Sequence, residues 1–302
     1  AYDRGMATIA VSGSSGLIGS ALVTLLRDEG HDVLRLVRQA AVELDEVGWD
    51  PARGEINLPA CSGVDAFVNL SGAPLARRWT DRYREELVSS RLNATRLLAR
   101  CAVELGPQVT LINASAVGFY GDRGREPLTE DSPPGTGFLA DLVQKWEAAT
   151  DSARDAGSRV VLVRTGLVMS NRGGALGPVM PMLRAGLGGP LGTGEQIWPW
   201  ISLRDEVRAI AWLIDSEISG PVNLASPATT TNGELIRAIA DGLGRPARLR
   251  VPTAALRLAM GDLATDIVAS QNEIPKVLLE GGFTFKQGTL DELVTWLVAE
   301  ED

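Results

Sequence analysis

The chain has few of the side chains that metal and relay chemistry depend on. Its 302 residues include one histidine, His31, and two cysteines, Cys61 and Cys101. A single imidazole supplies neither a zinc site nor a serine–histidine relay, so no metal site is expected. The two cysteines lie far apart without metal-type spacing and read as reduced core thiols of a cytoplasmic protein. No apolar stretch reaches the ~18 residues of a membrane span. Asp3 and Arg4 precede a mere five-residue apolar run, which is not a signal-peptide pattern. Residues 1–5 are either an added stretch before a natural start at Met6 or the remnant of a longer chain.

Positive charge is also scarce. Lys and Arg number 29 against 38 Asp and Glu, a net charge of −9, and no basic run stands out. That balance argues against nucleic acid and anionic membranes as partners. The composition is otherwise ordinary for a globular protein, with 45% hydrophobic and 22% charged residues. The length suits one or two domains with a large core.

The richest stretch is residues 7–38. A β-rich run at 7–11 leads into Gly13-x-x-Gly16-x-x-Gly19. A helix-period segment follows, with Leu17, Ile18, Ala21, Leu22, Leu25 and Leu26 on one face. Gly30 ends it, and a second β-rich run at 33–37 ends at Arg38. Strand, glycine turn, helix and strand in about thirty residues form the context in which such glycines mark a dinucleotide site. Gly13 permits the tight turn, Gly16 lets backbone approach a pyrophosphate, and Gly19 lets helix and sheet pack closely. Ser15, Leu17 and Ile18 share that backbone, whose free amides and helix dipole favour phosphate. Where an NAD site usually has an acid on the ribose, this chain has Arg38, which suits a 2′-phosphate; Asp32 comes too early. NADP is therefore expected over NAD.

Further along, strands are expected at 66–70, 109–114, 159–168 and 222–225. Helices are expected from Trp79-Thr80-Asp81 to about Leu105, over 139–156 and over 205–214. Strands alternating with helices imply an α/β fold, a Rossmann-type doubly wound parallel sheet with ligands at its carboxyl edge. From Gly173 the texture turns rich in glycine and proline. Thr231 with Glu234, and Thr289 with Glu292, read as capping boxes. The expected division is a dinucleotide-binding domain at 1–172 and 204–230, and a smaller C-terminal substrate lobe at 173–203 and 231–302.

Several segments together carry a resemblance. They are SGSSGLIGSALV at 12–23, DAFVNLSGAPL from 65, SSRLNATRLL at 89–98 and INASAVGFYGD at 112–122. GFLADLVQKWEAA at 137–149, VLVRTGLVMS at 161–170, GLGGPLGTGEQIWPWISLRDEV, GPVNLASP and GGFTF continue it. The chain resembles the extended short-chain dehydrogenase/reductase superfamily, and within it the atypical "epimerase family" subgroup, sugar-nucleotide epimerase-like and cell-division-inhibitor-like. The likeness covers nearly all of residues 7–298. It implies an NADP-binding fold with cofactor contacts at Val37 and Arg38, Leu70 to Gly72 (Leu70, Ser71, Gly72), Glu86, Arg91, Ala114, and the strand end from Arg164 to Val168. Glu86 and Arg91 rest on the resemblance alone; read from the residues, they are an exposed helical charge pair.

The resemblance fails at one point. The superfamily sets a Ser or Thr beside a Tyr-x-x-x-Lys, whose lysine lowers the tyrosine pKa for proton transfer. Ser115 stands at the hydroxyl position, but four residues before Lys145 is Asp141, and a register shifted by two gives Leu139 and Val143. Three candidates remain, each with a plainer alternative. Tyr120 is an acid/base or packs under its loop. Lys145 binds the nicotinamide ribose or pairs with Asp141. Ser115 orients a carbonyl or caps its loop. Trp198, Trp200, Gln196 and Arg184 are candidates for substrate contact, or core of the smaller lobe. The resulting expectation is an NADP-dependent oxidoreductase acting on a small carbonyl or alcohol. The alternatives are a non-catalytic NADP-dependent sensor or scaffold, and a redox-neutral epimerase or isomerase. A homodimer is compatible with all three.

Overall fold

The computed structural model describes residues 5–299. Its strands are β1 (Thr8–Ser12), β2 (Asp32–Val37), β3 (Glu46–Asp50), β4 (Glu55–Ile56), β5 (Ala66–Asn69), β6 (Thr110–Ala116) and β7 (Pro127–Leu128). They continue as β8 (Val160–Thr165), β9 (Leu167–Ser170), β10 (Gly173–Gly174), β11 (Trp200–Ser202), β12 (Gly220–Leu224) and β13 (Asn272–Glu273). The helices are α1 (Leu17–Asp28), α2 (Asp81–Leu105), α3 (Phe138–Ala148), α4 (Asp151–Asp155), α5 (Met180–Arg184), α6 (Leu203–Asp215), α7 (Asn232–Gly242) and α8 (Thr253–Met260). Three more close the chain: α9 (Leu263–Ile267), α10 (Lys276–Glu280) and α11 (Leu290–Ala299).

The central sheet runs β12-β8-β6-β5-β1-β2-β3-β4. All its pairings are parallel except β3 with β4. Period-2 alternation sends Ile9 and Val11 to one face and Ala10 to the other. On the first face, Leu22 and Leu26 of α1 and Ile210 and Leu213 of α6 bury against Ile9, Val11, Val68 and Val163. On the second, Leu97, Leu98 and Cys101 of α2 bury against Ala10, Phe67, Leu111 and Leu162. Each of the Val, Leu, Ile and Phe side chains among them is worth about 1.5–3 kcal/mol of burial. The fold is thus α/β and Rossmann-type. Its strand order reverses at β1, so the ligand crevice of such sheets opens at the carboxyl ends of β1 and β5.

The remaining segments form a smaller core. β10-β9-β11 make a three-stranded sheet, and Trp200, Leu235, Ile236 and Leu293 pack together beneath it. Both expected capping boxes are present. The Glu234 carboxylate accepts from the Thr231 amide at 2.8 Å, and that of Glu292 from the Thr289 amide at 2.9 Å.

Two expectations are revised, and one strand is added that was not expected. The strand expected at 159–168 is two strands in two sheets, because the chain bends at Gly166; a Cβ there would lie 2.7 Å from the Pro199 carbonyl oxygen. The helix expected at 139–156 breaks at Thr150, whose hydroxyl donates to the Glu147 carbonyl at 2.7 Å, and resumes as α4. The polar stretch after Arg38 contains β3, which buries Val47 and Trp49. Among the described residues no helix is long and apolar enough to cross a membrane.

Candidate functional site

The glycine turn stands between β1 and α1 at the carboxyl edge. Gly13 has φ +68°, and a Cβ on it would meet the Leu70 carbonyl oxygen at 2.7 Å. A Cβ on Gly19 would lie 2.2 Å from the Gly13 carbonyl oxygen. The turn is therefore pressed against both its own helix and the end of β5. Gly16 is the N-cap of α1; no side chain caps the helix, and no acid stands in its first turn. The amides of Leu17, Ile18 and Gly19 have no intrahelical acceptor and face the crevice edge with the positive end of the dipole. This is the geometry a diphosphate requires. Ser15 is exposed on the turn.

Arg38 follows β2 directly, exposed, with no ion pair or hydrogen bond among the described residues. Two of the acids that follow it, Asp45 and Glu46, are engaged by other arginines. Arg35 and Arg27 both hold Asp45, and Arg35 also holds Glu46 at 3.2 Å. Val37 closes the strand beside the glycine turn. Leu70, Ser71 and Gly72 continue from β5 over a buried polar floor. Ser12 Oγ donates to Asn69 Oδ1 at 2.7 Å, and Asn69 Nδ2 donates to Asn113 Oδ1 at 2.7 Å. Thr95 Oγ1 accepts from Trp146 Nε1 at 2.9 Å.

Arg91 leans over the indole of Trp146 at 5.1 Å and lies under Gly72, where a Cβ would meet its Cζ at 3.1 Å. It is 7% exposed and has no acidic partner, and desolvation lowers its pKa to about 10. A buried guanidinium without a counterion favours an anion beside it. Glu86 is exposed and does not join it, because five residues of helix put the two on different faces; the surface pair read from the residues is not formed. Val168 and Ala114 are half-buried within β9 and β6. A Cβ on Gly174 would sit 2.4 Å from the Val168 carbonyl oxygen and 3.2 Å from Leu17, so β10 closes over the start of α1.

At β6 and β8 the expected reactive groups turn inward. Ser115 Oγ donates to Glu147 Oε1 at 2.6 Å. Glu147 takes both ends of the Arg164 guanidinium, at 2.9 Å each. Arg164 Nη1 donates to Tyr120 Oη at 3.0 Å, and Tyr120 Oη donates to Asn223 Oδ1 at 2.6 Å. Arg164 also stacks 3.5 Å over Phe119. Ser115, Tyr120 and Arg164 are thus brought together, but in the interior. Tyr120 is fully buried, and burial raises its pKa above the usual phenol value. Arg164 is engaged by Glu147, so its side chain supports the strand end and does not reach the crevice.

Lys145 does not join them. It is exposed, with no partner among the described residues, so the pairing with Asp141 is not formed. The inward face of α3 carries Glu147, and one turn earlier Val143, which is 1% exposed. A further turn back is Leu139, which lies 3.2 Å from a Cβ on Gly118. Of the two registers considered for the superfamily's pair, the one that faces inward is Leu139 with Val143.

The substrate candidates are also revised. Trp200 is fully buried, with Nε1 donating to Thr230 Oγ1 at 3.1 Å. Trp198 Nε1 donates to the Ile267 carbonyl at 2.9 Å, and Gln196 Nε2 to that of Leu191 at 3.0 Å. These three are core of the smaller lobe; Arg184 is exposed.

Sequence reasoning missed Glu147 and a set of buried acids beyond it. Glu206 Oε1 accepts from Thr165 Oγ1 at 2.9 Å, and its second oxygen has no partner. Both oxygens of Glu273 and one of Glu130 are likewise unpartnered. Burial raises the pKa of Glu206 to about 8, and raises that of Glu273 well above the carboxylate range with help from Glu130 and Glu206. Among the described residues no set of His, Cys, Asp and Glu is arranged to hold a metal.

Residues 9–225 match the NAD dependent epimerase/dehydratase family, and residues 251–297 a domain of unknown function (DUF1731). An epimerase family protein of Mycobacterium tuberculosis, MT2273, is 45% identical over 95% of this chain and 96% of its own. The human epimerase family protein SDR39U1 is 33% identical over 96% of this chain and 99% of its own. The crystal structure of human SDR39U1 isoform 2 with NADPH superposes with a TM-score of 0.87 at 31% identity, covering 97% of this chain and 99% of that one. A nucleoside-diphosphate sugar epimerase from Corynebacterium glutamicum superposes at 0.80 with 34% identity, over 98% of this chain and 59% of that longer one. With the fold, the glycine turn and these matches together, the chain belongs to the NAD dependent epimerase/dehydratase family, in its epimerase family protein branch.

Proposed function

We propose that the chain binds NADP(H) along the carboxyl edge of β1, β2 and β5, and uses occupancy of that site as a sensor or scaffold without turning over by the superfamily's tyrosine–lysine relay. The glycine turn and the uncapped start of α1 receive the diphosphate, Arg38 the 2′-phosphate, and Arg91 a further anionic or polar group of the dinucleotide. SDR39U1, similar over the whole chain, was crystallised with NADPH, which supports the same cofactor here. One observation carries the non-catalytic half of the reading: the inward face of α3 presents Leu139 and Val143 where proton transfer needs a phenol and an ammonium.

Titration calorimetry with NADPH and NADH tests the binding half. Arg38→Ala is expected to weaken NADPH by about tenfold and leave NADH unchanged. Equal affinity of the wild-type protein for both dinucleotides would remove Arg38 from the reading.

A second reading is favoured by the hydrogen-bonded chain from Ser115 through Glu147 and Arg164 to Tyr120. In it the protein is an NADP-dependent oxidoreductase of a small carbonyl or alcohol, with Ser115 orienting the carbonyl. The bound cofactor supplies hydride. A screen of carbonyl compounds that finds NADPH oxidation abolished by Ser115→Ala selects this reading. A screen with no oxidation above background, by protein shown to hold NADPH, selects the first.

A further inference from the structure

Two stretches of this acidic chain contain no acid at all. Residues 156–194 hold no Asp or Glu, and neither do residues 242–261. The fold brings them together in the smaller lobe. The Val251 amide donates to the Pro190 carbonyl at 2.9 Å, and the Gly192 amide to the Val251 carbonyl at 2.9 Å. A Cβ on Gly189 would lie 2.4 Å from the Leu249 carbonyl oxygen, and one on Gly186 3.4 Å from Pro246. The second stretch exposes Arg245, Arg248, Arg250 and Arg257, none of which makes an ion pair or side-chain hydrogen bond among the described residues. Asp262, which ends the second stretch, is held by Arg84.

Exposed apolar side chains stand in the same two stretches. Leu258 is 84% exposed, Leu187 55%, Leu249 53% and Met182 46%. These are four of the nine large hydrophobics exposed among the described residues, so the apolar exposure concentrates where the acids are missing. A solvated face needs no leucines, and a merely loose loop needs no charge bias. The interleaving of uncompensated arginine with exposed leucine and methionine is the composition of a protein-binding face.

We propose that the Arg245–Leu258 face, with Met182 and Leu187 beside it, docks an acidic amphipathic segment of a partner protein. The guanidiniums pair with its carboxylates, in forks where geometry allows, and its apolar side chains cover Leu249, Leu258, Leu187 and Met182. Charge selects this occupant. A short segment feels only charges within about a Debye length, ~8 Å at physiological ionic strength, and so meets the basic face and not the −9 of the whole chain. An extended polyanion or an anionic bilayer meets more of the acidic remainder, and the face has no aromatic side chain for base stacking or for a membrane interface. A second copy is disfavoured as well. A two-fold contact would set arginine against arginine, and a head-to-tail one would grow without closing.

The test is fluorescence anisotropy with a labelled peptide of repeating Leu-Glu-Glu-Leu, against a control in which Ser replaces Leu. Saturable binding is expected, with a dissociation constant below about 100 µM at physiological salt. Arg248→Glu with Arg250→Glu should weaken it by about tenfold or more, and Leu249→Ser with Leu258→Ser by at least about threefold. The control peptide should bind weakly. These four positions lie outside the glycine turn, so unchanged NADPH binding confirms that the variants fold.

Four results overturn the proposal: no saturable binding; equal binding by the arginine variant; equal binding of the Ser control, which is bulk charge attraction only; or an interface of another kind. Sedimentation with phosphatidylcholine–phosphatidylserine vesicles that depends on Arg248 and Arg250 identifies a membrane face. A dimer that dissociates on the same substitutions identifies a contact between copies.

Discussion

At the β1 end of the carboxyl edge, the chain bares its backbone; at the β6 and β8 end, it buries its side chains. Gly13, Gly16 and Gly19 strip the first region of bulk, and the amides that open α1 have no competing cap. The second region is crowded with polar groups, yet Ser115, Glu147, Arg164, Tyr120 and Asn223 satisfy one another in the interior. The contrast teaches that polar density near a strand's carboxyl end is no measure of reactivity. A hydroxyl hydrogen-bonded to a buried carboxylate stabilises the fold, while an unpaired amide with nothing in front of it is free for a ligand.

The largest effect should come from breaking the sealed region. Glu147→Ala leaves the Arg164 guanidinium, whose side chain is 5% exposed, without its counterion. Removing one partner of a buried pair costs about 3–5 kcal/mol. Urea denaturation should show that loss, and Glu147→Gln, which keeps hydrogen-bond acceptance at one atom, should lose less. A Glu147→Ala protein as stable as wild type would mean that the cluster is held for function, and the comparison would invert.

The open region should respond in binding. Gly19→Ala forces a methyl to 2.2 Å from the Gly13 carbonyl oxygen, and the turn must shift away from its phosphate-receiving shape. NADPH affinity by calorimetry should fall by about ten- to a hundredfold, or roughly 1.4–2.8 kcal/mol. A smaller loss would show that the turn tolerates displacement and that the amides of α1 alone hold the ligand.

How early each region becomes legible follows from its sequence separation. The glycine turn, the start of α1 at Leu17 and the end of β2 before Arg38 are local, and they stand where the sequence puts them. The sealed cluster is not local: Glu147 meets Ser115 across 32 residues, and Tyr120 meets Asn223 across 103. The face that α3 turns inward depends on how it docks, so a register ambiguity of two residues stays open until the sheet is in place. One local signal was there to read. Glu147 extends the i,i+4 stripe of Leu139 and Val143, and an acid on an apolar stripe signals a buried partner. Trp198 and Trp200 gave no such sign, because their ring N–H partners lie 69 and 30 residues away.

The acids beyond the sealed cluster sharpen the comparison through pH. Glu206 is fully buried with its pKa raised to about 8, and Glu273 is raised well above the carboxylate range. An acid whose folded pKa lies above its unfolded value holds its proton longer in the native state. Stability therefore falls as pH rises from near the unfolded value of about 4.5 through the folded one. Thermal melts should drop by a few degrees between about pH 6 and pH 9, and Glu206→Gln should flatten that drop. A melting temperature that rises over the same interval would mean that water reaches these carboxylates and that the region is not sealed.

The smallest expected effect is the most discriminating. Lys145 is the one lysine of α3 and the sequence candidate for the nicotinamide ribose, and here it stands exposed on the outer face, with Glu147 on the inner one. To reach the crevice, α3 would have to turn by about half a revolution. That rotation would pull Glu147 from Arg164 and expose Trp146, which is 5% exposed as it stands. The cost exceeds anything a single ribose hydrogen bond returns, about 1 kcal/mol. Lys145→Ala should therefore change stability by less than about 0.5 kcal/mol and leave the NADPH titration unmoved. A clear loss of NADPH affinity on that substitution would show that α3 turns when the dinucleotide binds, and the two ends of the edge would then be one site.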